Sequence, residues 1–189
     1  MMKTEISICS EILKQGKTLL YPTDTVWGIG CDATNPLAVE KIFSIKRRPE
    51  SKSLIILLDR ADNLRRYVRE VPEIAYDLIE SVDTPLTIIY PNAMNLAENV
   101  IAGDGSIAIR IVKPGIFCHE MIKTFRKPVV STSANVSGAE TPMAYRFIQP
   151  EITHSVDHIV PRTFETLSTI KPSQIIKLAV NGEFTIIRK

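Results

Sequence analysis

The stretch Ser106-Ile-Ala-Ile-Arg-Ile-Val112 decides the fold class. Its isoleucines recur at every second position, so Ile107, Ile109 and Ile111 share one face and Ser106, Ala108 and Arg110 the other, the period of a half-buried strand. Upstream, the short apolar runs 17–21, 54–58 and 86–90 read as further strands, the first stopped by Pro22. Helical spacing fills the gaps between them. Residues 5–15 set Ile8, Ile12 and Leu13 on one face and end at the C-cap Gly16, while Asn35 and Pro36 provide an N-cap and a first helical residue ahead of Val39, Ile42 and Phe43. Asp62 is expected to cap a short helix through Val68, and Pro72 to open another carrying Ile74, Leu78 and Ile79. Downstream, a helix over 115–125 leads to a strand at 128–130, and the runs 156–160, 175–180 and 184–187 read as strands near the carboxyl terminus. Residues 140–150 are the least periodic and read as a loop. Strands alternating with helices in this way predict an α/β protein with a mixed sheet.

With 189 residues, 44% hydrophobic and 23% charged, the chain suits one domain over 1–189 with its own core. Lys and Arg number 23 against 21 Asp and Glu, and a net charge of +2 excludes a general polyanion binder; nucleotide or nucleic-acid contact has to come from local clustering. Cys9, Cys31 and Cys118 are far apart, with no C-x-x-C and no histidine pair at ligand spacing, so neither a disulfide framework nor a protein metal site is expected. His119, His154 and His158 read as surface or cap residues. The first sixteen residues lack both the apolar centre of a signal peptide and the length of a membrane span, which points to a cytoplasmic protein without a membrane partner.

Four polar clusters sit where strands or helices end, the usual location of ligand sites in α/β sheets. Tyr21-Pro-Thr-Asp-Thr-Val-Trp-Gly-Ile-Gly30 is either a capped turn or a place where glycines let the backbone approach a ligand. Lys46-Arg-Arg-Pro-Glu-Ser-Lys52 holds four cations against one acid, which suits a solvated helix end or a phosphate clamp. An extended chain ahead of Pro49 would turn Lys46 and Arg48 to one side and Arg47 to the other. Ser106 and Arg110 follow Gly103-Asp-Gly105; Arg110 needs an acid as partner, either a surface side chain or a bound carboxylate. Ser131-Thr-Ser-Ala-Asn-Val-Ser-Gly138, after the strand Val129-Val130, is a polar loop or a set of neutral donors able to orient a triphosphate. No P-loop, G-x-S-x-G elbow or H-E-x-x-H is present.

Pro22-Thr-Asp-Thr-Val-Trp-Gly-Ile-Gly30, Ile42-Phe-Ser-Ile-Lys-Arg-Arg-Pro49 and Ser131–Gly138 resemble the threonylcarbamoyl-AMP synthase family, also called YrdC-like, over nearly the whole chain. The Lys-x-Arg and Ser-x-Asn pairs that mark the family stand here as Lys46/Arg48 and Ser133/Asn135. The resemblance implies a twisted mixed sheet flanked by helices with a concave electropositive cleft, and an enzyme making L-threonylcarbamoyladenylate and pyrophosphate from L-threonine, bicarbonate and ATP, with Mg²⁺ accompanying the nucleotide. It implies Lys46 and Arg48 as catalytic residues. Arg48, Lys52, Ser106, Ser133, Asn135, Thr141 and Arg188 are expected against ATP, and Thr25, Arg110, Ser131 and Ser173 against threonine. The product would pass to the machinery that modifies the adenosine beside the tRNA anticodon. The chain departs from the family pattern at Trp27, at Asp83-Thr-Pro-Leu-Thr87, at Leu57, where some members present a histidine, and at Gln174. Two other readings are an RNA-binding module of the same fold, which 6% aromatic content disfavours, and a diverged member making another carbamoyl-type adenylate.

Overall fold

Because the odd residues of the central run are apolar and the even ones small or polar, the strand that contains them can serve two different surfaces. In the computed structural model, which describes residues 1–49, 54–165 and 172–189, it does so near the middle of a single nine-stranded sheet. The elements in chain order are α1 (Met2–Lys14), β1 (Leu19–Tyr21), β2 (Gly28–Gly30), α2 (Pro36–Lys46), β3 (Ile55–Leu58), α3 (Ile74–Ser81), β4 (Leu86–Tyr90), β5 (Ile107–Ile111), α4 (Phe117–Phe125), β6 (Val129–Ser133), α5 (Pro150–Thr153), β7 (His158–Ile159), β8 (Gln174–Leu178) and β9 (Phe184–Arg188). The strands lie in the order β7-β1-β2-β6-β3-β5-β4-β8-β9. The sheet is mixed: β1 with β7, β3 with β5 and β4 with β8 are parallel, and the other neighbours antiparallel.

Strand alternation divides the apolar residues between two cores. Ile29, Ile56, Leu58, Ile88, Ile107, Ile109 and Val130 point to one face and pack with Val39, Ile42 and Phe43 of α2 and Ala75 of α3. Leu19, Tyr21, Leu57 and Val129 point to the other and pack under Cys9 and Leu13 of α1 and Phe117, Met121 and Phe125 of α4. Helices α1 and α4 cover only part of that second face, and the uncovered part is the cleft described below. Residues 107–110 are all buried, so β5 is not half-exposed as its alternation suggests, although its Ala108 and Arg110 lie on the side of the cleft.

Most helix signals stand where the sequence puts them. The Asn35 side chain accepts hydrogen bonds from the amides of Leu37 and Ala38, Pro36 opens α2, and Gly16 ends α1 with φ +68°. Helix α1 starts at Met2, so its buried face is Ile6, Cys9 and Leu13, while Ile8 is exposed. Asp62 lies inside a 3₁₀ turn, Ala61–Arg66, instead of capping an α-helix. The 140–150 segment contains a 3₁₀ turn at Tyr145–Phe147, and Pro150 opens the one-turn α5. Among the described residues no helix is long and apolar enough to cross a membrane.

The one strand missed by periodicity is β2, whose sequence is Gly-Ile-Gly. A Cβ on Gly30 would lie 2.2 Å from the Val130 carbonyl oxygen and 2.8 Å from the Tyr21 ring, which crosses the strand to donate its hydroxyl to that same carbonyl. Gly30→Ala is therefore expected to destabilise the fold by about 1–3 kcal/mol through overpacking, measured by urea unfolding. Gly103→Ala meets no atom within 4 Å and should stay within about 0.5 kcal/mol of wild type. Equal costs would mean that the Tyr21–Gly30 crossing does not constrain the sheet.

Candidate functional site

The register of the sheet sets a row of side chains across its open face: Ser131 of β6 lies beside Ile55 of β3, Ile55 beside Ala108 of β5, and Ala108 beside Ile89 of β4. These four form the floor of a cleft of about 380 Å³. Thr23, Thr25 and Gly28 wall it on the β1–β2 side, Arg48, Ser133 and Thr141 at one end, and Pro172, Ser173, Ile175 and Arg188 at the other, with Arg110 also reaching it. Three guanidinium groups thus meet hydroxyl residues that include Thr25, Ser131, Ser133, Thr141 and Ser173. Among the described lining residues there is no carboxylate, cysteine, histidine or aromatic ring.

Arg110 sits two residues further along β5 on the same face, with only 5% of its side chain exposed, and its Nη2 lies 3.0 Å from Oδ1 of Asp24. Its Nε is buried without a hydrogen-bond partner among the described residues. The paired acid that the sequence requires is therefore Asp24, from the Thr-Asp-Thr turn, and the strand that carries Arg110 lies inside the sheet between β3 and β4. The turn is held by Thr23, whose hydroxyl accepts from the Thr25 amide and donates to the Val26 carbonyl. On the other wall, the Ser173 and Thr87 hydroxyls are 2.8 Å apart, and Arg188 donates through Nε and Nη2 to the Ser173 carbonyl at 3.0 and 2.7 Å. Burial, and after it the nearby Arg110, disfavours the charged form of Arg188.

The basic cluster is not extended as expected. Lys46 is the last residue of α2, and Arg47 caps that helix in the left-handed region with φ 48°, after which Arg48 N returns to the Phe43 carbonyl. Arg47 is swung outward into an ion pair with Glu151. Arg48 reaches the cleft, where burial lowers its pKa. Lys46 does not line the cleft. Its side chain is 1% exposed and its Nζ donates to the carbonyls of Ser133, at 2.5 Å, and Asn135, at 2.7 Å. Burial, followed by the Arg48 charge, lowers its pKa to about 8. The first members of the Lys-x-Arg and Ser-x-Asn pairs are thus bonded to each other.

Other expected site residues lie apart from the cleft. The Ser106 hydroxyl and amide both bond the Asp104 carboxylate, which these bonds and Lys177 hold down at about 2, and Ser106 does not line the cleft. Asn135 lines an adjoining cavity shared with Thr141; its Nδ2 donates to the Val136 and Ala139 carbonyls. Leu57 is fully buried in the second core, and Gln174 is exposed. Lys52 lies outside the described residues. Ser131, Thr132 and Ser133 belong to β6 itself rather than to a loop after it. Asp24 was not singled out from the sequence, although an acid flanked by two threonines beside a strand end was the available signal.

Fold and cleft together define the class: an α/β protein with a mixed sheet whose uncovered face carries three arginines and a set of hydroxyls, the donor types that suit an anion. The chain belongs to the Sua5/YciO/YrdC family, whose model, described as telomere recombination, matches residues 11–189. It is 32% identical over 185 residues to a threonylcarbamoyl-AMP synthase of Pseudoalteromonas translucida, covering 96% of each chain, and 33% identical over 165 residues to one of Hahella chejuensis. Its fold superposes with a TM-score of 0.83 on P. abyssi Sua5 complexed with L-threonine, at 27% identity over 92% of this chain, which spans about half of that longer one (50%). E. coli YciO, at 20% identity and a TM-score of 0.82, shares the fold.

The Lys46 contacts lead to a stability test. Lys46→Met leaves two carbonyls without their donor while relieving a buried charge, for an expected net loss of about 1–3 kcal/mol; Arg47→Ala, which breaks an exposed ion pair, should cost about 0–1 kcal/mol. Between pH 8 and 10.5 the unfolded chain keeps the Lys46 proton that the folded chain releases, so wild-type stability gains with pH there. The gap to Lys46→Met should widen over that window in urea unfolding; a constant gap would contradict the lowered pKa.

Proposed function

We propose that this chain is an L-threonylcarbamoyladenylate synthase, a nucleotidyltransferase that forms threonylcarbamoyl-AMP and pyrophosphate from L-threonine, bicarbonate and ATP. The observation that supports it most is the meeting of Arg48, Arg110 and Arg188 with a set of hydroxyls in one cleft that has no Cys, His or carboxylate among its described residues. The chemistry needs none. Bicarbonate gives up hydroxide to become carbon dioxide, and the threonine amine adds to it and loses a proton to that hydroxide as water. An oxygen of the resulting carbamate attacks the α-phosphorus of ATP, while the bond to the β-phosphate oxygen breaks with its electron pair leaving on pyrophosphate. The protein contributes orientation and charge neutralisation.

In this reading Arg110 binds the threonine carboxylate, with Asp24 fixing its guanidinium, and Thr25, Ser131 and Ser173 supply hydrogen bonds around the amino acid. Arg48 and Arg188 neutralise the phosphates, with Ser133 and Thr141 beside them. Lys46 acts as a positioning residue through the carbonyls of Ser133 and Asn135, and touches no substrate itself. The described lining, hydroxyls without a carboxylate, does not make a Mg²⁺ site of its own, so Mg²⁺ enters as part of the MgATP substrate. The product, an activated carbamoyl donor in the cytoplasm, suits the machinery that modifies tRNA. The absence of a ring among the described lining residues gives the RNA-binding alternative no stacking platform in the cleft.

Two measurements test this. Pyrophosphate release should require ATP, bicarbonate and L-threonine together; turnover with no amino acid, or none with threonine, would refute the assignment. Arg110→Ala should raise the KM for threonine by about 10- to 100-fold, the worth of a charge-assisted hydrogen bond of roughly 1.5–3 kcal/mol, and leave the KM for ATP within a few-fold. Arg48→Ala should do the reverse, and the same change in both substrates for either variant would remove the proposed division of the cleft.

A further inference from the structure

Glu5 and Cys9 are four residues apart on α1 and therefore share a face, and that face meets His158 of β7, the strand that pairs with β1 at the sheet edge. None of the three lines the cleft. His158 Nε2 lies 2.6 Å from Glu5 Oε1 and Cys9 Sγ 3.8 Å from the same oxygen, and one donor atom from each residue lies within 4.8 Å of the other two. Cys9 is fully buried, while 25% of the His158 side chain and 12% of that of Glu5 remain exposed, so the cluster is walled by protein and open on the His158 side.

We propose that Glu5, Cys9 and His158 form a binding site for a borderline-soft divalent cation, zinc(II) by the chemistry of its donors, fastening α1 to the edge strand. The Cys9 thiol donates to the Glu5 oxygen that also meets His158 Nε2, so three donor groups converge where an ion pair between Glu5 and His158 needs only two. A thiolate, an imidazole and a carboxylate together are the donor set of zinc, whereas magnesium and calcium take oxygen donors alone. Bond lengths of about 2.0–2.3 Å to a tetrahedral zinc place its ligand atoms about 3.3–3.8 Å apart. The sulfur-to-oxygen distance already has that value, and the nitrogen-to-oxygen contact has to open by roughly 0.7 Å. On binding, the Cys9 proton passes to the buffer as the metal–sulfur bond forms, and a water molecule completes the fourth position. Strand β7 is only two residues long, so a metal that ties it to α1 adds a strong cross-link where the sheet ladder is weakest.

The test is titration of the chelator-treated full chain with Co²⁺, Zn²⁺ and, as control, Mg²⁺. The expected result is a thiolate-to-cobalt charge-transfer band that Zn²⁺ removes and Mg²⁺ does not, with a melting temperature that rises with Zn²⁺ concentration. Cys9→Ala should abolish the band, and His158→Gln should weaken Zn²⁺ binding by more than the roughly 10- to 100-fold that loss of an outer-shell partner costs. Pyrophosphate release by these variants, which lie outside the cleft, should remain at wild-type level without added Zn²⁺. No band in the wild type, a band retained in Cys9→Ala, or unchanged Zn²⁺ affinity in His158→Gln would each overturn the proposal. The wild-type titration decides the matter even if a variant fails to fold.

Discussion

The contact between the Lys46 ammonium and the carbonyls of Ser133 and Asn135 governs how the cleft is built. A buried cation is tolerated only if its hydrogen bonds are met, and here the acceptors are backbone carbonyls of the last residue of β6 and of the polar turn that follows it. The turn in return binds the helix end, because the Ser137 amide donates to the Lys46 carbonyl. Two segments 87 residues apart are locked by bonds in both directions. Once α2 ends at that point, the left-handed Arg47 reverses the chain and delivers Arg48 to the cleft, so the position of a cleft cation depends on a lysine that never reaches it.

The same economy governs the Arg110 wall. A guanidinium in the middle of a sheet has to be paired, and Asp24 meets that need while lying in the turn that also carries Thr23 and Thr25. Pairing Arg110 from one side leaves its Nε buried and without a partner among the described residues, a cost of the kind found where structure is shaped for a ligand more than for stability. Ala108, two positions before it on the same face, keeps the floor low enough for the cleft to exist. A larger side chain at this row would fill the space that α1 and α4 leave uncovered.

Alternation made β5 legible in the sequence, a short apolar run β4, and capping chemistry α2, because in these segments local preference and tertiary packing agree. Strand β2 was hidden because its two glycines have no side chains to alternate; they exist for the crossing of Tyr21 and the nearness of Ser131, contacts between residues distant in sequence. The polar residues 131–133 hid the continuation of β6 for a related reason, since their side chains face a cleft instead of a core. Arg48, Arg110 and Arg188 were readable as candidates by their charge and their match to the family pattern. That Lys46 points away from the cleft was not readable, because the bias toward extended structure before Pro49 acts on Arg48 and leaves the helix free to run through Lys46.

Arginine and hydroxyl, not histidine or cysteine, are the groups that the proposed reaction calls for. A carbamate oxygen is already an anionic nucleophile, so a general base would gain little, whereas the charge that develops on the departing pyrophosphate has to be met by donors fixed before the reaction starts. Guanidinium groups keep their charge even where burial lowers their pKa, as it does for Arg48 and Arg188, and their forked donors fit phosphate oxygens. A lysine in the same partly buried place would lose its proton more readily, as the lowered pKa of Lys46 illustrates. The fold therefore places the one buried lysine among the described residues in the framework, where a neutral amine still donates to carbonyls, and gives arginines the cleft, where the proposed reaction needs a constant positive charge.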